Sequence, residues 1–198
     1  MARKQIIFEP WYFPHNPNFI STTHNLLTPA ECKRIIEVGD KLPVKDATTA
    51  NEEDSRVDYG QRKCAVSWIS QDHPELQWFW NKIHDAIVDI NNQNWGFDLK
   101  FMDEEAQYTV YKNSNDHFDY HMDNGPRELS VRKLSIVINL NDPSEWEGGS
   151  LQSFGDVDAP QGLGSLHVFP SYLLHRVTPL ISGTRKSLVL WCGGSYYK

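Results

Sequence analysis

The sequence predicts an α+β fold in which helices cover one face of an antiparallel β sandwich or jelly roll. Three observations predict it. Apolar residues before about residue 105 recur at helical spacing, those after about 106 fall into short strand-like runs, and turn residues punctuate those runs. A chain of 198 residues fits one domain spanning 1–198, with a helical or mixed part over about 1–105 and a strand-rich core over about 106–198.

The first helix is expected to start at Thr28-Pro29-Ala30-Glu31. Thr28 can cap, proline suits the first helical position, and Glu31 closes a capping box. Ile35, Ile36 and Val38 form its apolar stripe, and Gly39 can end it. Asp72-His73-Pro74-Glu75 reads as a second start of the same kind. Leu76, Phe79, Trp80, Ile83, Ile87 and Ile90 then follow at helical spacing, as expected of a helix packed on a sheet. Trp78, Trp80 and Trp95 read as helix-packing residues. Residues 44–63 lie between the helices. They are polar, with few apolar anchors, and are expected to form a long surface loop, either a lid or a disordered segment.

The strand candidates are AQYTVYK from 106, RKLSIVINL from 132, GSLQSF from 149, GSLHVFP from 164 and RKSLVLWC from 185. All are rich in β-branched and aromatic residues. Asn124-Gly125-Pro126, Asn141-Asp142-Pro143, Gly148-Gly149 and Ser182-Gly183 supply turns between them. Many short strands with regular turns suit a jelly roll.

Composition excludes several function classes. The net charge of −7 argues against general nucleic-acid binding. No apolar run approaches the ~18 residues of a membrane span, and the N-terminus has no signal-peptide pattern. Cys32, Cys64 and Cys192 are odd in number and far apart, which suits buried reduced thiols and a cytoplasmic protein.

The chemistry centres on His121-Met122-Asp123. In a strand, residues two apart share a face, so an imidazole and a carboxylate would converge. Two ligands do not hold a divalent ion alone, and His175, beyond Phe169-Pro170, is the best third. Two histidines and one carboxylate leave open positions for a chelating cosubstrate and O2, the arrangement of non-haem Fe(II) oxygenases. His117-Phe118-Asp119 offers a competing pair. Arg185 stands ten residues after His175 and can pair bidentately with the far carboxylate of a dicarboxylate cosubstrate, with Ser187 on the same face. His167 reads as a strand histidine facing solvent or the pocket edge. His15, His24, His73 and His84 lie outside the strand region. Arg127 and Arg132 stand near the pocket mouth in sequence.

Tyr111, Phe118 through Asp123, Arg132-Lys133-Leu134-Ser135, Trp146-Glu147-Gly148-Gly149, Gly164-Ser165-Leu166, His175, Gly183-Thr184-Arg185 and Trp191 together resemble the prolyl 4-hydroxylase-like 2-oxoglutarate oxygenases over about residues 108–192. The resemblance implies a double-stranded β-helix, a jelly-roll variant, with supporting N-terminal helices. It implies Fe(II) on His121, Asp123 and His175, and 2-oxoglutarate held by Arg185, Ser187 and the Tyr111 hydroxyl, with ascorbate as an accessory cofactor. Trp191 matches a tryptophan of the pocket wall. The implied activity is hydroxylation of a C–H bond, of peptidyl proline first, with succinate and CO2 as coproducts. The implied partners are a peptide or protein substrate, or a small molecule, and O2. A free amino acid, another peptidyl side chain or a nucleobase is an alternative substrate. A metal-binding jelly roll without turnover is an alternative class. Two departures stand out: Ser114 replaces a frequent glycine, and Ile136-Val137-Ile138-Asn139 lacks a second tyrosine found in some members.

Overall fold

The computed structural model describes residues 19–47, 49–50, 55–56, 58 and 60–196. Two antiparallel sheets build the core. The larger, of eight strands, runs Ser21–Thr23, Leu166–Pro170, Arg132–Asn139, Arg185–Gly194, Ala106–Tyr111, Ala65–Ile69 and Lys45–Asp46, with Leu99–Phe101 also paired to Arg185–Gly194. The smaller, of five, runs Val157–Asp158, Leu151–Ser153, His175–Val177, His117–His121 and Arg62–Lys63. Every predicted strand is present. The chain alternates between the sheets, which is the winding of a jelly roll.

The helices Pro29–Gly39 and Gln77–Asn94 lie on the outer face of the larger sheet. The period-two alternation of each strand explains why. Tyr108, Leu134, Ile136, Ile138, Leu166, Val168, Leu188, Leu190 and Cys192 meet Ile35, Val38, Phe79, Ile83, Ile87 and Ile90 in one buried cluster. The intervening residues Thr109, Tyr111, Ser135, Val137, Asn139, His167, Phe169, Arg185 and Ser187 point the other way and are also buried. All three cysteines are free and buried. Burial, with the adjacent Glu31 charge, pushes the Cys32 thiol up to about 11; burial pushes Cys192 to about 12.

The Thr28 capping box forms as read: the Glu31 amide donates to Thr28 Oγ1 at 3.3 Å and the Thr28 amide donates to Glu31 Oε2 at 2.7 Å. Gly39 ends the first helix as read, and space also requires a glycine there. A Cβ there would lie 2.6 Å from the Tyr108 ring, and the following Asp40 stays in the right-handed helical region. Other expectations are corrected. The second start has no capping box. Pro74–Leu76 is a short 3-10 turn, and no side chain caps it at His73. The box appears instead at Asp142, which caps Pro143–Glu145. Ser182-Gly183 belongs to a short strand, Leu180–Gly183, paired with Trp146–Gly148. The 44–63 segment is not simply a surface loop. Its two ends join the two sheets, and Ala47 and Arg62 are buried; its middle lies largely outside the described residues. Among the described residues no helix is long and apolar enough to cross a membrane.

Candidate metal centre and cosubstrate pocket

Strand register brings the site together. His175 is the direct cross-strand partner of His121 in the smaller sheet, with ring centroids 4.2 Å apart. Asp123 lies two residues beyond the end of its strand, so the same-face rule alone does not place it. It is placed by its backbone: the amides of Asp123 and Asn124 both donate to the Ser171 carbonyl, at 2.9 and 3.1 Å. His121 Nε2 then lies 3.4 Å from Asp123 Oδ1, and His175 Nε2 lies 3.7 Å from Asp123 Oδ2. One ligand atom from each of the three residues falls within 4.8 Å of the others. Donors bound at about 2.1 Å from one ion sit roughly 3–4 Å apart, so this set fits a divalent metal.

The tautomers fit as well. His121 Nδ1 meets the Asp119 carbonyl at 2.7 Å and His175 Nδ1 meets the Leu173 carbonyl at 2.8 Å. A carbonyl only accepts, so each Nδ1 carries the hydrogen and each Nε2 presents a lone pair inward. Ser135 Oγ donates to Asp123 Oδ2 at 2.6 Å. Burial by itself would raise the Asp123 carboxyl, but the two imidazoles and the Ser135 hydroxyl outweigh it and hold the group far below the usual carboxylate range. Burial also lowers His175 to about 4, against the opposing pull of Asp123, so the imidazole is neutral near pH 7. The sequence assigned no role to these partners; Asp119 and Ser135, inside quoted motifs, left a signal and Leu173 left none.

The competing pair goes elsewhere. His117 engages the carbonyls of Asn115 and Gly60, and Asp119 is exposed. His24, His73 and His84 are not in the cluster. His15 and the Arg127 side chain lie outside the described residues.

A cavity of about 550 Å³ runs inward from the triad. Exposed Trp68, Met122 and Pro126 mark its mouth, and Val137, Leu151, Val177, Val189 and Trp191 form apolar walls. Arg132 stacks on the Trp191 ring at 3.9 Å, pairs with Glu104, and donates to the Asp123 carbonyl at 3.2 Å. Arg185 lies at the inner end, 2% exposed. Its Nη1 donates to Ser187 Oγ at 3.4 Å, its Nη2 donates to Asn139 Oδ1 at 3.1 Å, and its Nε has no acceptor among the described residues. No carboxylate of the described residues pairs with it. Tyr111 is its cross-strand partner, but the phenol hydroxyl pairs with the Cys64 thiol, and burial raises the Tyr111 pKa. Gly148 and Gly149 both have positive φ, and they let the chain turn beneath this arginine. A Cβ on Gly148 would come within 2.4 Å of the Pro179 carbonyl, and one on Gly149 within 3.3 Å of the Arg185 stem. Of the two placements expected for His167, solvent or the pocket edge, the solvent one is corrected: it is 1% exposed.

Fold and site together define a class: a jelly roll carrying a triad of two histidines and one carboxylate, with His175 buried and the other two half-buried, at the open end of a cavity. Comparison with known proteins agrees over part of the chain. Residues 106–193 match the model of the 2OG-Fe(II) oxygenase superfamily. A PKHD-type hydroxylase of Shewanella oneidensis is 40% identical over 83 residues. That match covers 38% of this chain and 37% of the relative, so the chain spans little more than a third of the relative's length. The fold resembles a Trichoplax adhaerens prolyl hydroxylase solved with a hypoxia-inducible-factor oxygen-degradation-domain peptide, with a TM-score of 0.70 at 17% identity over 89% of this chain and 84% of that one. A Pseudomonas putida prolyl-4-hydroxylase is similar too, with a TM-score of 0.65 at 22% identity over 89% and 92%. These likenesses establish the double-stranded β-helix.

Proposed function

We infer that this chain is an Fe(II)- and 2-oxoglutarate-dependent hydroxylase, with His121, Asp123 and His175 holding the iron. The carrying observation is Arg185: a buried cation without a carboxylate partner among the described residues, in the same cavity as the triad. A lone buried charge is costly, and an anion with two oxygens is the natural complement of a guanidinium with a free Nε–H. A structural metal site has no use for such a clamp.

Each residue has a definite task. The Asp119 and Leu173 carbonyls fix the imidazole tautomers, and Ser135 occupies Asp123 Oδ2 so that Oδ1 remains for the metal. Arg185, with Ser187, binds the C5 carboxylate of 2-oxoglutarate, and the apolar walls keep water from the reacting centre. Tyr111 reaches the cosubstrate by exchanging its Cys64 partner for it. Bound iron supplies O2 activation coupled to decarboxylation of 2-oxoglutarate, giving succinate, CO2 and a hydroxylated substrate. Peptidyl proline is the proposed substrate. The likeness to solved prolyl hydroxylases supports it.

The test combines two measurements. Under anaerobic conditions, Fe(II) plus 2-oxoglutarate should produce a visible charge-transfer band. With O2 and a panel of proline-containing peptides, succinate should form together with a product 16 Da heavier. Absence of both band and turnover overturns the oxygenase reading. A band with turnover on other substrates overturns only the proline assignment.

A further inference from the structure

A buried polar chain runs away from the cosubstrate clamp and ends outside the segment that matches the family. Arg185 Nη2 meets Asn139 Oδ1 at 3.1 Å, Asn139 Nδ2 meets His167 Nε2 at 3.2 Å, and His167 Nδ1 meets Thr22 Oγ1 at 3.0 Å. Asn139 and His167 are 4% and 1% exposed. Thr22 lies on the edge strand of the larger sheet, in register opposite His167.

The donor inventory fixes every orientation in this chain. A guanidinium has donors only, so the atom of Asn139 facing Arg185 must be the amide oxygen. The amide nitrogen then faces His167, whose Nε2 must accept. The hydrogen of the imidazole therefore sits on Nδ1 and points at the Thr22 hydroxyl. Were Nε2 to carry the hydrogen, Asn139 would be driven to turn its NH2 group toward Arg185, donor against donor. Burial, helped by the Arg185 charge, lowers His167 to about 4 and keeps the imidazole neutral near pH 7.

We propose that His167 and Thr22 are positioning residues for 2-oxoglutarate: they lock the Asn139 amide with its oxygen toward Arg185, and so aim the guanidinium at the cosubstrate. The proposal rests on the reading of Arg185 as the clamp. It makes the Ser21–Thr23 strand, which precedes the family segment by more than eighty residues, a working part of the cosubstrate site.

The test is anaerobic calorimetric titration of 2-oxoglutarate into the Mn(II)-loaded full chain. His167→Leu should weaken binding about tenfold, as expected for disordering one partner of a charged hydrogen bond. His167→Gln, which keeps an acceptor near the Nε2 position, should stay within about threefold of the parent, and Thr22→Val should lose about threefold. Mn(II) affinity should be unchanged within about twofold in all three, because the metal ligands are untouched. In an Asn139→Ala background, His167→Leu should add less than about twofold, since its effect passes through the amide. Full additivity, or equal 2-oxoglutarate binding by parent, Thr22→Val and His167→Leu, overturns the proposal and leaves the clamp standing. A parent that does not bind 2-oxoglutarate overturns both. Thr22→Val and His167→Gln keep the test intact if His167→Leu does not fold.

Discussion

The two faces of the larger sheet are made by the same strands and do opposite work. In Arg132–Asn139, the residues Leu134, Ile136 and Ile138 turn to the helices, while Ser135, Val137 and Asn139 turn to the opposite face, where Val137 lines the cavity. In Arg185–Gly194, Leu188, Leu190 and Cys192 face the helices, and Arg185 and Ser187 face inward. One face stabilises the fold, each Leu or Ile side chain contributing roughly 1.5–3 kcal/mol on burial. The other buries hydroxyls, an amide and a guanidinium, each of which costs free energy unless hydrogen-bonded. The lesson is that the polar face depends on the apolar one. A cavity lined by unsaturated donors persists because its reverse side is a continuous hydrophobic core.

That contrast can be broken at either face. The largest effect is expected at the triad. Asp123→Ala should reduce Fe(II) affinity by more than about a hundredfold, exceeding what loss of an outer-shell partner produces. Leu188→Ala, one position from Ser187 but on the opposite face, should do the reverse. It should destabilise by about 3 kcal/mol in denaturant unfolding, with 2-oxoglutarate affinity of the folded protein retained. Arg185→Ala should weaken 2-oxoglutarate about a hundredfold and Fe(II) little; equal loss of both would count against the clamp.

The smallest effect is one of pH. His167 titrates near 6.5 in the unfolded chain and near 4 in the fold, where burial first, and then the charges of Arg185 and His24, oppose protonation. Acid is therefore taken up preferentially by the unfolded state, and stability falls as pH drops from about 6.5 toward 4. His167→Gln should flatten this part of the Tm–pH curve relative to the parent.

Much of this was legible in the residues. Period-two alternation and turn residues give the strands, and the Thr28 box gives a helix start, because these signals are local. The HxD, the later histidine and an arginine ten residues on pointed to the candidate site: His121 and His175 lie on paired strands of the smaller sheet, and Arg185 lies on the larger sheet in the same cavity. What stayed hidden is what depends on register between distant segments. His167 looks like any strand histidine until Thr22 and Asn139 are seen on either side of it. Asp123 owes its position to the Ser171 carbonyl and not to its own strand. Gly39 reads as a helix stop and is also a cradle for the Tyr108 ring.

The pairing of Ser21–Thr23 with Leu166–Pro170 joins segments 145 residues apart in the chain. Closing so long a loop is entropically slow relative to forming the hairpins within the core. During synthesis the edge strand is made before its partner and pairs only after the intervening chain has followed. A strand of this kind acts as a register mark: the larger sheet is completed on that side only when it has found a partner 145 residues further along.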